Sequence, residues 1–269
     1  MVGITQLAIE TTGRSGSLAI LVDQDIVYQH DLGAKSRTAA AIGPALKDAI
    51  DWCRRESDGV DFISVADGPG SFTGLRIGVT LAKMLSYSLQ VPLVSVDSLA
   101  AIAATIFSGA CPSLDSAGQQ STVSENSVLE NLGPEVILVA TDAYRGQFFT
   151  GSFRRLDTLP DLDRLSDRWS AHPKCVKIVG AADWAVDLRQ VDLTRVALAG
   201  EAKPFGNLAQ RRVAASQPDA VGVGLLGVRA ARLQKWVDPA QLVPRYLRGS
   251  AAEEKAASKL NGQESKGKN

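Results

Sequence analysis

The first hundred residues alternate between the twofold spacing of apolar residues in strands and the 3.6-residue spacing of helices. Apolar, β-prone runs predict strands at residues 4–10, 18–22, 26–32, 60–66 and 92–96. Helical spacing predicts helices at residues 37–55, 72–89 and 98–107. Pro44 lies inside the first of these helices, which therefore either begins late or is kinked. The order βββαβαβα places the helices against a mixed sheet.

The pattern changes after residue 107. Residues 108–133 contain six Ser and neither Lys nor Arg, a composition typical of a disordered surface insertion. Further strands are predicted at residues 135–142, 147–153 and 176–179, and further helices at residues 182–188, 205–215 and 220–237. We therefore expect an N-terminal lobe (1–107), the insertion (108–133), a C-terminal lobe whose last helix returns to the N-terminal lobe (134–248), and a disordered tail (249–269).

A Gly-rich segment joins the fourth predicted strand to the helix that follows it. Residues 66–78 read ADGPGSFTGLRIG, and Ser71 or Thr73 can cap the helix. Such a loop often binds phosphate at the helix N-terminus. A P-loop would end in Gly-Lys-Ser/Thr, whereas Gly74 is followed here by Leu75. The segment is therefore not a Walker A loop, and weaker phosphate binding stays open.

The helix after this loop is apolar over most of its circumference. Its charged residues are Arg76 and Lys83, and Gly74 and Gly78 leave a flat notch one turn apart. One interpretation is a helix buried on several sides within its own core. The other is a helix with one face in the core and one face offered to a partner protein.

Composition excludes some classes of protein. Lys plus Arg and Asp plus Glu both number 29, so the net charge gives no basic footprint of nucleic-acid binding. Three isolated Cys favour a reducing compartment over a disulfide framework. There is no signal-peptide pattern at the start and no apolar run long enough to span a membrane. We expect a soluble, cytoplasmic protein.

Two predicted hairpins carry an acidic residue at the end of their first strand. Residues 7–12 read LAIETT and residues 139–143 read VATDA. This repetition indicates an α/β protein of the actin-like (ASKHA) two-lobed class. Its two ribonuclease-H-like domains would have mixed sheets flanked by helices, and the second lobe would be reduced. Mg²⁺-ATP could bind between the lobes, and the alternative is that the same residues only cap turns. The candidate cofactor-binding residues are Glu10, Thr11, Thr12 and Asp142.

The two histidines of the chain give no visible protease site. His30 and His172 are far apart and lack metal-ligand spacing, so we expect no metal site. A metalloprotease needs a His pair with a carboxylate, and a serine protease needs Ser, His and Asp in one site. Neither set is visible, which argues against proteolysis and leaves phosphotransfer as the enzyme alternative.

Three motifs resemble the bacterial TsaB family. They are the Gly-rich residues 66–78, residues 142–148 (DAYRGQF) and residues 244–248 (PRYLR), in the family's order. The similarity covers most of residues 4–107 and 134–153 and returns at 239–248. The Gly-rich motif is specific to the family, and the other two add to it.

The resemblance implies a two-lobed actin-like fold and a non-catalytic role in making N6-threonylcarbamoyladenosine at position 37 of tRNA. The partners that it implies are the catalytic, metal-binding paralogue TsaD and the ATPase TsaE, with tRNA reached only through the complex. ATP or ADP could bind at the complex interface, and a weak self-dimer is expected when the partner is missing. The helices at residues 37–55 and 72–89 would form the interface. The residues assigned to it are Ile42, Leu46, Phe72, Gly74, Leu75, Arg76, Gly78, Val79 and Lys83. No catalytic residue is expected. The alternative is an ATPase or phosphotransferase of the actin-like and sugar-kinase superfamily.

Overall fold

The computed structural model of this chain describes residues 3–33, 38–109, 113–114, 120–121, 136–154, 172–193, 196–211 and 217–248. Its larger sheet has the strand order β3-β2-β1-β4-β5. β1, β2 and β3 form an antiparallel meander, whereas β1, β4 and β5 run parallel. The strands are β1 (Thr5–Glu10), β2 (Ser17–Val22), β3 (Asp25–Asp31), β4 (Phe62–Gly68) and β5 (Leu93–Asp97). The five strands predicted for this region are confirmed, with small shifts at their ends.

A smaller four-stranded sheet lies in the second half of the chain, with the order β10-β9-β8-β11. β8 pairs antiparallel with β9 and parallel with β11. Its strands are β8 (Val136–Asp142), β9 (Gln147–Arg154), β10 (Lys177–Gly180) and β11 (Val196–Gly200). Within the predicted insertion, β6 (Ser113–Leu114) pairs with β7 (Gln120–Ser121).

Helices cover the larger sheet on both faces because β1 alternates its side chains between two cores. Leu7 and Ile9 lie in one core with α1 and α2, and Ala8 lies in the other with α3 and α5. The second core also contains Ile137 and Phe153 of the smaller sheet, so α3 and α5 join the two sheets. The helices are α1 (Thr38–Glu56), α2 (Phe72–Leu89), α3 (Ser98–Phe107), α4 (Ala181–Arg189) and α5 (Ala220–Arg232). The predicted fold class is confirmed: the protein is α/β, with two mixed sheets flanked by helices and a reduced second lobe.

Two helix predictions in the C-terminal lobe are wrong. In place of the helix predicted at residues 205–215, the described part forms a 3₁₀ segment (Lys203–Arg211) that is interrupted at Gly206 (φ 53°, ψ −123°), and residues 212–216 lie outside the described residues. The helix predicted to reach residue 237 ends at Arg232. Val237 forms a bridge with Leu93 instead and covers the edge of β5.

The structure tests the remaining fold predictions only in part. α1 begins at Thr38 with Pro44 in its interior, so it does not begin late. Most of residues 108–133 and all of the tail at 249–269 lie outside the described residues, as do residues 155–171. The boundaries of the lobes stay predictions.

α2 packs against the end of β1 through its two glycines. A Cβ at Gly74 would overlap the backbone carbonyl oxygen of Thr11, and a Cβ at Gly78 would overlap the Thr11 hydroxyl oxygen. That hydroxyl donates a hydrogen bond of 2.7 Å to the Gly74 carbonyl. The notch predicted to receive a partner helix is therefore filled by this chain's own Thr11, and the glycines permit close approach of two backbones within the core.

This contact predicts a large difference between two glycine-to-alanine substitutions in helices. Gly74→Ala should lower the free energy of unfolding by about 2–3 kcal/mol, because the added methyl meets backbone that cannot move aside. Gly43→Ala in α1 is the matched control. Apart from its chain neighbours a Cβ there meets nothing within 4 Å, so the change in stability should stay below about 1 kcal/mol, because higher helix propensity raises stability and crowding against Pro44 lowers it. Urea unfolding measures both, and equal stability of the two variants would contradict the packing of α2 on Thr11.

Candidate functional site

A cleft of about 1000 Å³ lies where four segments of the chain meet. They are the turn after β1 (residues 11–14), the Gly-rich loop before α2 (69–74), the turn between β8 and β9 (142–145) and the C-terminal segment (245–248). We call this space the interlobe cleft. It brings together Thr11, Thr12 and Asp142 of the predicted cofactor-binding residues.

The Gly-rich loop uses its polar groups to join its neighbours. The Ser71 amide donates to the Thr12 carbonyl at 2.8 Å, and the Ser71 hydroxyl accepts from the Gly74 amide at 3.3 Å. Ser71 is therefore the N-cap of α2, one of the two residues that the sequence indicated. Both of these amides are engaged within the chain, so neither points to a bound phosphate.

Glu10 lies beneath the cleft and is fully buried. Its Oε1 accepts hydrogen bonds from the Thr12 amide, the Thr12 hydroxyl and the Gly13 amide. Its Oε2 has no hydrogen-bond partner among the described residues. Burial raises the pKa of the Glu10 carboxyl to about 8, because water that would stabilise the charged form is excluded. In this structure Glu10 caps its own turn.

Ion pairs connect the turn after β1 with the C-terminal lobe. Arg14 Nε lies 3.1 Å from Glu201 Oε1, and the Asp142 amide donates to Glu201 Oε2 at 3.1 Å. The Asp142 carboxylate lies 2.7 Å from Lys203 Nζ. Gln217 adds a neutral link, because its side-chain oxygen accepts from the Arg14 amide at 3.1 Å. The two acidic turns identified in the sequence thus meet at the cleft, with the Asp142 carboxylate already paired.

A buried polar cluster holds the C-terminal segment against β4 and β5. The Arg245 guanidinium contacts Asp97 and donates to the Gly68 carbonyl at 2.6 Å. It also approaches Asp67, with 3.9 Å between Nε and Oδ1. His172 Nε2 lies 2.8 and 2.9 Å from the two Asp67 carboxylate oxygens. The arginine and the histidine therefore provide polar partners for two carboxyl groups at the ends of neighbouring strands.

Sequence analysis missed this cluster. Asp97 carried one usable signal, because it precedes an apolar helical run and caps α3 by accepting from the Ala100 amide at 2.8 Å. Arg245 belongs to the short motif at residues 244–248, but nothing local relates it to Asp97. His172 was considered only as a metal ligand, and its contact with Asp67 was not predicted. In the described part of the chain, no three His, Cys, Asp or Glu side chains are grouped to hold a metal ion.

The predicted interface residues divide into two groups. Ile42, Leu46, Leu75 and Val79 are buried in this chain's own core, and their assignment to a partner interface stays a prediction. Gly74 and Gly78 are closed off by Thr11 as described above. α2 therefore buries one face in this chain's own core and exposes the other, as in the second of the two interpretations, and contact of the exposed face with a partner stays a prediction.

The remaining predicted interface residues lie at the surface beside the C-terminal segment. Phe72 stacks on Tyr246 with ring centroids 4.7 Å apart, and Arg76 Nε lies 3.1 Å from the Tyr246 hydroxyl. Lys83 Nζ donates to the Leu242 carbonyl at 3.0 Å. The outer face of α2, which sequence analysis did not single out, is exposed at Thr73, Thr80, Met84 and Tyr87.

Comparison with known proteins identifies the family to which this chain belongs. The family of tRNA N6-adenosine threonylcarbamoyltransferases, TsaD, matches residues 33–256. The chain belongs to this family. It is 37% identical over 101 residues to the tRNA threonylcarbamoyladenosine biosynthesis protein TsaB of Bacillus subtilis, which is 38% of this chain and 44% of that protein. The TsaB protein of Buchnera aphidicola is 33% identical over 103 residues, 38% of this chain and 45% of the relative. The resemblance to TsaB proteins is therefore confirmed.

The chain spans somewhat under half the length of these two relatives in the matched region. A solved structure extends the likeness of the fold. A Pseudomonas aeruginosa protein with similarity to peptidase YeaZ covers 91% of this chain and 100% of its own length, with a TM-score of 0.64 and 22% identity. Among the described residues, no helix is both long and apolar enough to cross a bilayer.

The raised pKa of Glu10 predicts how stability depends on pH. Between pH 4.5 and about 8 the folded chain keeps a proton on Glu10 that the unfolded chain releases. The folded state therefore binds more protons, and stability falls as pH rises through this window, by up to about 1.4 kcal/mol per pH unit. Glu10→Gln should remove this part of the slope, since its amide oxygen can still accept from the turn. Urea unfolding over a pH series tests this, and parallel profiles for the two proteins would show that Glu10 is ionised in the fold.

Proposed function

We propose that this chain is a non-catalytic subunit of the assembly that makes N6-threonylcarbamoyladenosine at position 37 of tRNA. The observation that carries the proposal is membership of a tRNA-modification family together with identity to TsaB proteins. In this proposal the chain docks on a TsaD-type transferase, a TsaE-type ATPase joins them, and tRNA is bound by the complex. A cytoplasmic location follows from a tRNA substrate. A nucleotide at the complex interface and a weak self-dimer belong to the same proposal.

The positions of the two histidines support a non-catalytic role. His172 is paired with Asp67, and His30 is on the edge strand β3, where it stacks on Tyr28 at 6.5 Å between ring centroids. They lie on separate surfaces and make separate contacts. A metal site of the type expected in the catalytic paralogue needs two histidines directed at one point.

The outer face of α2 is the best candidate for the docking surface. Met84 and Tyr87 are 51% and 78% exposed on a helix whose other sides are buried. The hydrophobic stripe is short, and Thr73 and Thr80 continue it toward the Gly-rich loop. A partner helix laid along this face would cover the two large apolar side chains. This surface replaces the buried residues assigned from sequence, in particular Val79.

The second candidate function is phosphotransfer with Mg²⁺-ATP in the interlobe cleft. Thr11, Thr12 and Asp142 line that cleft, which favours it. The present contacts of these residues argue against this function. The Thr11 hydroxyl donates to the Gly74 carbonyl, the Glu10 carboxyl accepts from Thr12, and Asp142 pairs with Lys203. Each would have to give up a partner before it could bind a phosphate or a metal ion.

Calorimetric titration of the purified chain with Mg²⁺-ATP separates these two functions. We expect no turnover of ATP by the chain alone, since the groups that would hold the metal and the phosphates already have hydrogen-bond or ion-pair partners within the chain. Phosphate release measured over the same period provides the second readout. Tight binding accompanied by ATP hydrolysis would contradict the non-catalytic proposal.

Substitution of the α2 outer face tests the docking proposal. Met84→Arg should weaken binding to a TsaD-type transferase at least about 30-fold, because a charge would be desolvated in the interface. The melting temperature should not change, since the side chain is half exposed. The matched control is Val186→Arg on α4, where a 46% exposed apolar residue lies in the other lobe. Biolayer interferometry with the transferase gives both affinities, and equal weakening by the two variants would count against the α2 outer face.

A further inference from the structure

The turn between β8 and β9 has three successive residues with left-handed backbone. Tyr144, Arg145 and Gly146 have φ values of 63°, 52° and 74°. Positive φ is uncommon for residues other than Gly, Asn and Asp, and for a bulky aromatic residue it is a marked outlier. The Tyr144 side chain is nevertheless 61% exposed, so packing of its ring does not explain the conformation.

Hydrogen bonds from several elements fix this turn. The Asp142 carboxylate accepts from the Tyr144 amide at 2.9 Å, and the Gln147 amide donates to the Tyr144 carbonyl at 3.0 Å. The Ala181 amide at the start of α4 donates to the Gly146 carbonyl at 2.8 Å. Arg248 of the C-terminal segment donates to the Ala143 carbonyl. These hydrogen bonds restrain the backbone that carries an exposed aromatic ring, an arrangement that suits contact with a planar ligand.

The surroundings of Tyr144 supply positive charge and a second aromatic surface. Tyr144 and Arg145 line the interlobe cleft with Arg14 and Arg248. The charges of the two lining carboxylates are neutralised, because Asp142 pairs with Lys203 and Glu201 pairs with Arg14, so Arg14 itself adds no net positive charge to the cleft. The stacked pair of Phe72 and Tyr246 also lines the cleft, with the Arg76 guanidinium 4.1 Å from the centre of the Phe72 ring.

Exposed aromatic rings beside arginines are the features with which proteins bind single-stranded nucleic acid, by stacking on bases and contacting phosphates. We propose that the interlobe cleft, with Tyr144 as its stacking residue, binds unpaired nucleotides of an RNA loop. This inference rests on the proposed function, in which tRNA is the substrate, and it assigns this subunit its own contact with the RNA. The high exposure of the aromatic rings favours an RNA strand over a free nucleotide as the ligand. Tyr144, Tyr246 and Phe72 stay 61%, 40% and 38% exposed, whereas a small-molecule site encloses its ligand.

Fluorescence anisotropy with the full chain and a labelled RNA stem–loop of anticodon-arm size tests the proposal at low salt. Tyr144→Asn removes the ring and keeps a residue that accepts left-handed backbone, so the fold should be retained, as thermal melting will verify. The dissociation constant should rise about tenfold, the loss expected for one stacked base. Tyr144→Phe should bind as the parent does. Val186→Asn on α4 is the control, because it places the same side chain at an exposed apolar position outside the cleft and should leave RNA binding unchanged.

Two further ligands show whether the cleft prefers unpaired RNA to duplex RNA and to a free nucleotide. A blunt duplex with the same stem has no unpaired bases, and ADP is a free nucleotide. The proposal is supported if the parent chain binds the stem–loop and if Tyr144→Asn is the one variant that weakens this binding. No binding of the stem–loop, equal binding of the duplex, or tight binding of ADP without the RNA would each overturn it. The chain is measured alone, so this result is independent of its assembly with a transferase.

Discussion

The packing of α2 on the end of β1 sets the geometry of the N-terminal lobe. Gly74 and Gly78 bring the helix backbone onto Thr11, and the Thr11 hydroxyl completes the contact by donating to the Gly74 carbonyl. The Gly-rich loop must then turn sharply beside the first hairpin, where Ser71 bonds to Thr12. One wall of the interlobe cleft and the direction of the α2 outer face both follow from this close approach, because the helix has no freedom to rotate or move outward.

Ion pairs rather than apolar contacts join the two acidic turns at the cleft. Arg14 reaches Glu201, Glu201 accepts from the Asp142 amide, and Lys203 neutralises Asp142. Such partly exposed pairs contribute little stability individually. Their value is in orientation, since each partner restricts the position of the next. The cleft is therefore lined by groups with fixed directions, while the apolar core beneath, around α3 and α5, supplies the stability of the fold.

The sequence predicted the positions of the helices and strands better than which of their side chains are buried. The alternation in β1 and the helical run of α2 were enough to find both, because hydrophobic periodicity reports local burial. It could not decide whether Val79 or Met84 points outward, since both are apolar and only the packed structure buries one of them. The 3₁₀ segment was missed because a single residue, Gly206, redirects the chain. Glu10 and Asp142 were found as acidic turn residues, but their engagement by Thr12 and Lys203 depends on tertiary contacts.

The position of Arg245 has a consequence for the order in which the protein can mature. Asp67 and Asp97 end neighbouring parallel strands, and Arg245 bonds the Gly68 carbonyl from 177 residues further along the chain. During synthesis the two carboxylates emerge long before their arginine. Arg245 can therefore reach these carboxylates only after every strand of the N-terminal sheet has been made, so the contact that joins the ends of β4 and β5 to the C-terminal segment forms later than the strands themselves.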